Sequence, residues 1–318
     1  MNAFLSQQNP PTDGLIFLTG PTASGKTALA LALAREFPLE IINADAMQLY
    51  IGMDIGTAKP DAHTRQQVPH HLLDVVTPDD PFSAGRYQQA AEKCIRDCQS
   101  RGRIPLFVGG TGLYLRVVEE GLAPTPPMDQ AILENLRHDG ERLGWPVLHA
   151  RLAQCDPEGA ARLTPADGQR ILRALAVRLT TGHPLAWWQA QQQSPGRRVL
   201  KLALDCERQA LYQRINHRFE GMMEQGLLEE AASLLRLGYH RELPAMKAVG
   251  YRQLFGYLDG TRSLTECVEE AKKASRHYAK RQWTWLRGQA NLFRIVGGEQ
   301  ALDSSISRIN HFLQDMVE

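Results

Sequence analysis

The run LIFLTGPTASGKT, from Leu15 to Thr27, decides the fold. Leu15, Ile16, Phe17 and Leu18 make a short apolar strand, and the residues after it fit the pattern G-x-x-x-x-G-K-[ST]. A loop of this kind joins a strand to a helix. Its backbone N–H groups form a concave nest at the helix N-terminus, where the dipole favours anions. Gly20, Pro21, Thr22, Ala23, Ser24, Gly25, Lys26 and Thr27 are therefore candidate phosphate contacts. Lys26 suits terminal phosphate oxygens, and the Thr27 hydroxyl suits a Mg²⁺ ion. The loop specifies a polyphosphate without saying which one.

Strand and helix signals alternate on the C-terminal side of this run. A run of strong helix formers covers Lys26 to Ala34. Glu40–Asn43 reads as a strand, Arg86–Ser100 as a helix, and Ile104–Val108 as a buried strand before the glycine-rich Gly109–Gly112. This alternation predicts an α/β core with a parallel, doubly wound sheet of the P-loop kinase type. At Gly121–Pro127 (GLAPTPP) the pattern breaks, and only helical periodicity follows until Ser194-Pro-Gly196. Arg198–Leu204 then reads as a strand again. The expected organisation is a core in two parts, 1–121 and 198–318, around an all-helical insertion at 122–197. Two long helices, Glu207–Glu224 and Leu264–Gln289, belong to the second part.

The chain has 318 residues, 43% hydrophobic and 22% charged, which is the profile of an ordinary soluble globular protein. No stretch approaches the ~20 apolar residues of a membrane span. Met1–Pro10 lacks the basic and apolar regions of a secretory signal, so a cytoplasmic protein is expected. Cys94, Cys98, Cys155, Cys206 and Cys267 are scattered without a C-x-x-C pair and read as reduced thiols. His70 and His71 read as structural, because no second His or Cys cluster accompanies them.

Charge is uneven. Residues 197–294 carry eighteen Lys and Arg against eleven Asp and Glu, in a chain whose net charge is only +1. Within that stretch, Ala271–Gly298 holds seven basic residues, from Lys272 to Arg294, and no acid. Tyr278, Trp283, Trp285 and Phe293 lie among them. Basic residues interleaved with aromatics suit an RNA backbone and stacked bases; a solvated helix face over core aromatics suits the same pattern.

ATP-driven machines pair the loop with a second strand that ends in a Mg²⁺-binding acid. Here Ile104–Val108 ends in Gly-Gly-Thr-Gly, and the acid is Asp45, just after the strand that ends at Asn43. A carboxylate there can serve as general base for an acceptor, or simply cap a helix. Three readings stand at this point: a transferase with a diphosphate leaving group, a small-molecule or nucleotide kinase, and an RNA-binding protein.

Seven segments in order resemble the bacterial tRNA dimethylallyltransferase (tRNA isopentenyltransferase) family. They are GPTASGKT, the Asp45 segment, Gly52–Pro60 (GMDIGTAKP), Pro69–Asp74 (PHHLLD), Val108–Tyr114 (VGGTGLY), Val249–Gln253 (VGYRQ) and Ala279–Arg287 (AKRQWTWLR). The resemblance spans about 14–296. It implies transfer of a dimethylallyl group from dimethylallyl diphosphate to N6 of the adenine just 3′ of the anticodon, with Mg²⁺ as cofactor and the anticodon stem-loop of tRNA as partner. It further implies Asp45, Thr111 and Arg218 as catalytic, with Arg218 preferred to Arg214. The tRNA contacts it implies are Asp45, Ala46, Met47 and Gln48; Gln169, Arg170, Ile171, Leu172 and Arg173; Lys247, Ala248, Val249, Gly250, Tyr251 and Arg252; and Lys280 and Arg281. A monomer with no membrane partner is expected. Ala46 stands where many relatives have Ser, so any hydroxyl contact to the carboxylate is missing here.

Overall fold

The computed structural model describes residues 14–316, so the leader-free reading of Met1–Pro10 falls outside it. Six strands, β1 (Gly14–Thr19), β2 (Leu39–Asn43), β3 (His70–His71), β4 (Ile104–Val108), β5 (Arg198–Asp205) and β6 (Leu292–Val296), form one parallel sheet. Their order is β3-β2-β4-β1-β5-β6. Side chains alternate across the sheet. Ile16 and Leu18 of β1 pack under helices Lys26–Glu36 and Gln300–Gln314, whereas Leu15 and Phe17 pack under Ala84–Ser100 and Gly112–Glu120. Both faces are covered, which is why the central strands read as unbroken apolar runs.

Register is what positions the site. Val108 pairs with Leu18 on one side and with Asn43 on the other. Three strands thus end level, and the chain leaves them as GPTASGKT, as Ala44–Gln48 and as Gly109–Gly112, side by side. Ligands of open parallel sheets bind at this carboxyl edge.

Two strands escaped the sequence. β3 is only two residues long, and β6 lies inside the stretch read as uniformly basic. The helix of that stretch spans Leu264–Arg287, so Phe293 and Arg294 belong to an edge strand. There Arg294 pairs with Asp205, and Arg308 stacks on Phe293. Lys272 is buried between Glu220 and Glu269. Lys272 and Arg294 are thus ion-paired rather than free charges.

The chain divides into two compact units, Glu120–Pro195 and the remainder. The smaller one contains five helices among its described residues, packed on Leu136, Leu148, Leu152, Ile171 and Leu175. The larger one adds a second core around Tyr50, Met53, Phe219, Leu227 and Tyr251. No helix among the described residues is long and apolar enough to cross a membrane.

Candidate active site

A cleft of about 770 Å³ opens at the carboxyl edge of the sheet. It is lined by Thr22–Ala28, Asp45–Gln48, Gly56–Ala58, Gly109, Thr111, Arg214, Arg218, Lys247–Val249, Tyr278, Arg281 and Gln282. Most of the expected site residues of the larger unit therefore converge on one cavity. Gly20, Pro21, Gly250, Tyr251, Arg252 and Lys280 do not line it, and Gln169–Arg173 belong to the other unit.

The phosphate loop has the conformation its sequence dictates. Gly25, at φ 96°, starts helix Lys26–Glu36 in the left-handed region that glycine adopts without strain. Lys26 Nζ curls over the loop and donates to the carbonyls of Gly20 and Pro21 at 3.0 and 2.8 Å. Ser24 Oγ is buried without a partner, a polar atom poised for a ligand oxygen. Arg218 Nη1 approaches Thr22 Oγ1 at 3.5 Å, while Arg214, one turn earlier, is more exposed. Burial lowers the Lys26 pKa to about 8; Asp45 opposes this and Arg218 reinforces it.

Asp45 is not a helix cap. The residues after it form a turn, in which its Oδ1 accepts from the Met47 N–H at 2.9 Å. Asn43 braces this turn from below: Oδ1 accepts from the Asp45 N–H, and Nδ2 donates to the carbonyls of Asp45 and Leu72. On the other side the Ala46 N–H donates to Thr111 Oγ1 at 3.0 Å. Thr111 thus holds the carboxylate loop through its backbone, a contact that needs no hydroxyl on residue 46. Burial pushes the Asp45 carboxyl above the usual carboxylate range, despite the Met47 N–H and the positive charges of Lys26 and Arg218. The result is a basic carboxylate facing two cations across the cleft.

One wall of the cleft is Gly56–Ala58, the end of the segment Asp54–Ala58. Gln48 Nε2 donates to the carbonyls of Thr57 and Ala58, which leaves Gln48 Oε1 as the acceptor available to a base. Glu230 holds this segment from beneath. It accepts from the N–H groups of Asp54, Ile55 and Gly56 at 2.9, 2.9 and 3.1 Å, and from the Tyr251 hydroxyl at 2.6 Å. Alanine at Glu230 strands four donors, so Glu230→Ala is expected to lower stability by about 3 kcal/mol in denaturant titration. A loss within error would show that the segment does not depend on this carboxylate.

Of the expected tRNA contacts that do not line the cleft, two have buried side chains. Tyr251 is fully enclosed against Glu230, and Ile171 lies in the core of the smaller unit. Neither side chain can reach a tRNA; each holds its neighbours in place. Gln169, Arg170, Arg173, Arg252, Lys280 and Arg281 are exposed, as is Lys247, which pairs with the exposed Glu242. Of the tryptophans in the basic helix, Trp283 packs beside Tyr212 and Trp285 over Gly112, so they are not free stacking platforms.

His71 does have a cysteine nearby, contrary to the sequence reading. Glu40, His71 and Cys98 place potential ligand atoms within 4.8 Å of one another. Burial works against the Glu40 carboxylate, but hydrogen bonds from Arg101, His71 and Cys98 outweigh it and hold its pKa down to about 2. Burial and the neighbouring Glu40 push the Cys98 thiol up to about 12. With Arg101 on Glu40 at 2.6 Å, the cluster is a buried ion-pair network. Structure, not chemistry, remains the role of His71.

Fold and site together define a P-loop transferase in which the loop faces a buried carboxylate, and no acid ends the neighbouring strand β4. Residues 48–289 match the family model for IPP transferase, and the chain belongs to that family. It is 51% identical over 301 residues to a tRNA dimethylallyltransferase of Magnetococcus marinus, covering 93% of this chain and 98% of that one. It is 43% identical over 316 residues to one of Nitrosomonas europaea, covering 98% and 96%. The crystal structure of the full-length tRNA isopentenylpyrophosphate transferase of Bacillus halodurans matches with a TM-score of 0.73 at 35% identity, over 96% of this chain and 98% of that one. A eukaryotic dimethylallyltransferase captured acting on tRNA matches with a TM-score of 0.83 at 26% identity, over 95% and 80%. The kinase and the non-catalytic RNA-binding readings are set aside.

Proposed function

We propose that the chain transfers a dimethylallyl group from dimethylallyl diphosphate to N6 of the adenine just 3′ of the anticodon in tRNA, releasing diphosphate. The observation that carries this reading is the pairing, in one cleft, of the phosphate loop with a carboxylate made basic by burial. The exocyclic amine of adenine is a poor nucleophile, because its lone pair is delocalised into the ring. Asp45 accepts its proton as the new N–C bond forms. The C–O bond to diphosphate breaks on the opposite side of the transferred carbon. Lys26, Arg218 and the N–H groups of the loop stabilise the charge that develops there. Ser24 Oγ, buried and unpartnered, supplies a further donor.

The Thr27 hydroxyl fits a Mg²⁺ ion: it is a hard oxygen at the start of the helix, exposed and lining the cleft. When bound with the diphosphate, Mg²⁺ neutralises part of its charge. The acceptor adenine has to leave the stack of the anticodon loop to reach Asp45. Gln48 Oε1 is placed to accept a hydrogen bond from it, and Met47 and the backbone of Ala46 shape the passage. Arg252, Lys280, Arg281 and Lys247 of the larger unit, with Gln169, Arg170 and Arg173 of the insertion, are suited to phosphate oxygens of the stem-loop. The reading has the enzyme work as a monomer in the cytoplasm.

The test combines purified protein, labelled dimethylallyl diphosphate and an anticodon stem-loop with adenine 3′ of the anticodon. Label is expected in the RNA, with one diphosphate released per transfer and no requirement for ATP. Phosphate transfer from ATP to a small molecule, indifferent to RNA, would overturn the reading.

A further inference from the structure

Gln282 stands where the two glycine nests meet, on the wall contributed by helix Leu264–Arg287. It is 6% exposed. Its Oε1 accepts from the backbone N–H of Thr22 at 2.8 Å, and its Nε2 donates to the carbonyl of Gly110 at 3.2 Å. Both ends of one amide are thus committed, one to the phosphate loop and the other to the loop that carries Thr111. The fit is close: a Cβ at Gly110 would lie 2.0 Å from Gln282 Nε2, and one at Gly112 would lie 2.4 Å from the Trp285 ring. The helix therefore lies flush on the nest, and a side chain at Gly110 or Gly112 would force Gln282 or Trp285 to shift.

Two consequences follow from these contacts. The Thr22 N–H, the most obvious phosphate donor on that side of the loop, is occupied by protein; the phosphate donors must come from the later N–H groups and from Lys26. The same helix also carries Arg281 on the cleft and the exposed Lys280 two residues before Gln282. One rigid element thus touches both the diphosphate loop and the side proposed to face RNA.

We propose that Gln282 is a positioning residue that couples the two substrates: RNA seated on helix Leu264–Arg287 and diphosphate in the loop stabilise each other through its amide. This rests on the transferase reading above. Coupling of this kind is reciprocal and of the order of tenfold in affinity.

The experiment measures binding of inorganic diphosphate with Mg²⁺ to the wild-type protein, with and without an anticodon stem-loop, and repeats it with Gln282→Met, which keeps the volume and removes both hydrogen bonds. Wild type is expected to bind diphosphate about tenfold more tightly when the RNA is present. In Gln282→Met that gain is expected to vanish and KM for dimethylallyl diphosphate to rise, while RNA binding alone is unchanged. Gln282→Glu retains the acceptor for Thr22 but loses the donor to Gly110, and gives the same comparison if the Met variant does not fold. Absence of coupling in wild type, or equal coupling in a folded variant, overturns the proposal. A wild-type protein that shows the coupling but transfers no prenyl group overturns the transferase reading and leaves the coupling standing.

Discussion

Asp45→Ala is expected to lower kcat by about 10³-fold while binding of the stem-loop scarcely changes. The carboxylate lies at the carboxyl end of β2, held by Asn43 and by the Ala46–Thr111 contact, and the role proposed for it is to take a proton from a weak nucleophile. Its pH dependence has a definite sign. Burial raises the Asp45 pKa, so the acid limb of kcat is expected above the pH at which an ordinary aspartate titrates, with activity falling as pH falls through it. Stability runs the other way. A carboxyl whose folded pKa is raised binds its proton more tightly when folded, so its ionisation costs stability as pH rises through that range. Asp45→Asn keeps the Asx-turn acceptor and removes the buried charge; it is expected to be inactive yet no less stable than wild type in a thermal melt. An Asn variant that melts much earlier, or loses RNA binding in proportion to turnover, would assign Asp45 to structure or recognition.

Lys26→Ala is expected to cost about 10³-fold in kcat/KM, because it deletes the loop's only cationic side chain at the leaving group. The pH profile again separates mechanism from coincidence. With its pKa lowered to about 8, Lys26 loses its charge in the free enzyme within an accessible range. With the proposed diphosphate contact made by protonated Lys26, KM for dimethylallyl diphosphate is expected to be flat below this pKa and to rise about tenfold per pH unit above it. Stability of the free enzyme should meanwhile increase between about 8 and 10.5, where the unfolded lysine holds its proton and the folded one does not. A KM limb that survives in Lys26→Ala would belong to another group.

The parts legible in the sequence were those whose signal is local. LIFLTGPTASGKT gave the strand, the turn and the start of the helix together, and the level ends of β1, β2 and β4 follow from three apolar runs, each leading into a loop. Asp45 was legible because it stands two residues beyond a strand. What escaped were polar side chains whose partners are far away along the chain. Glu230 serves Asp54–Gly56 across some 175 residues, and Gln282 serves Thr22 across 260. No periodicity or spacing announces such contacts. The basic stretch misled for a related reason: composition counts charges but not their partners, so Lys272 and Arg294 looked free while Glu220, Glu269 and Asp205 neutralise them. Tyr251 sits in a motif that resembles a tRNA contact, yet folding turns it inward and leaves Arg252 beside it exposed.

In this account GPTASGKT holds a diphosphate as leaving group, and the nucleotide in the reaction is the acceptor, arriving within an RNA. Nucleoside mass spectrometry of tRNA incubated with the protein and an isotopically labelled dimethylallyl diphosphate tests this most directly. One labelled five-carbon unit is expected on a single adenosine, next to the anticodon, in wild type and none in Asp45→Ala. Unmodified tRNA with the wild-type protein, or label on any other nucleoside, would contradict it.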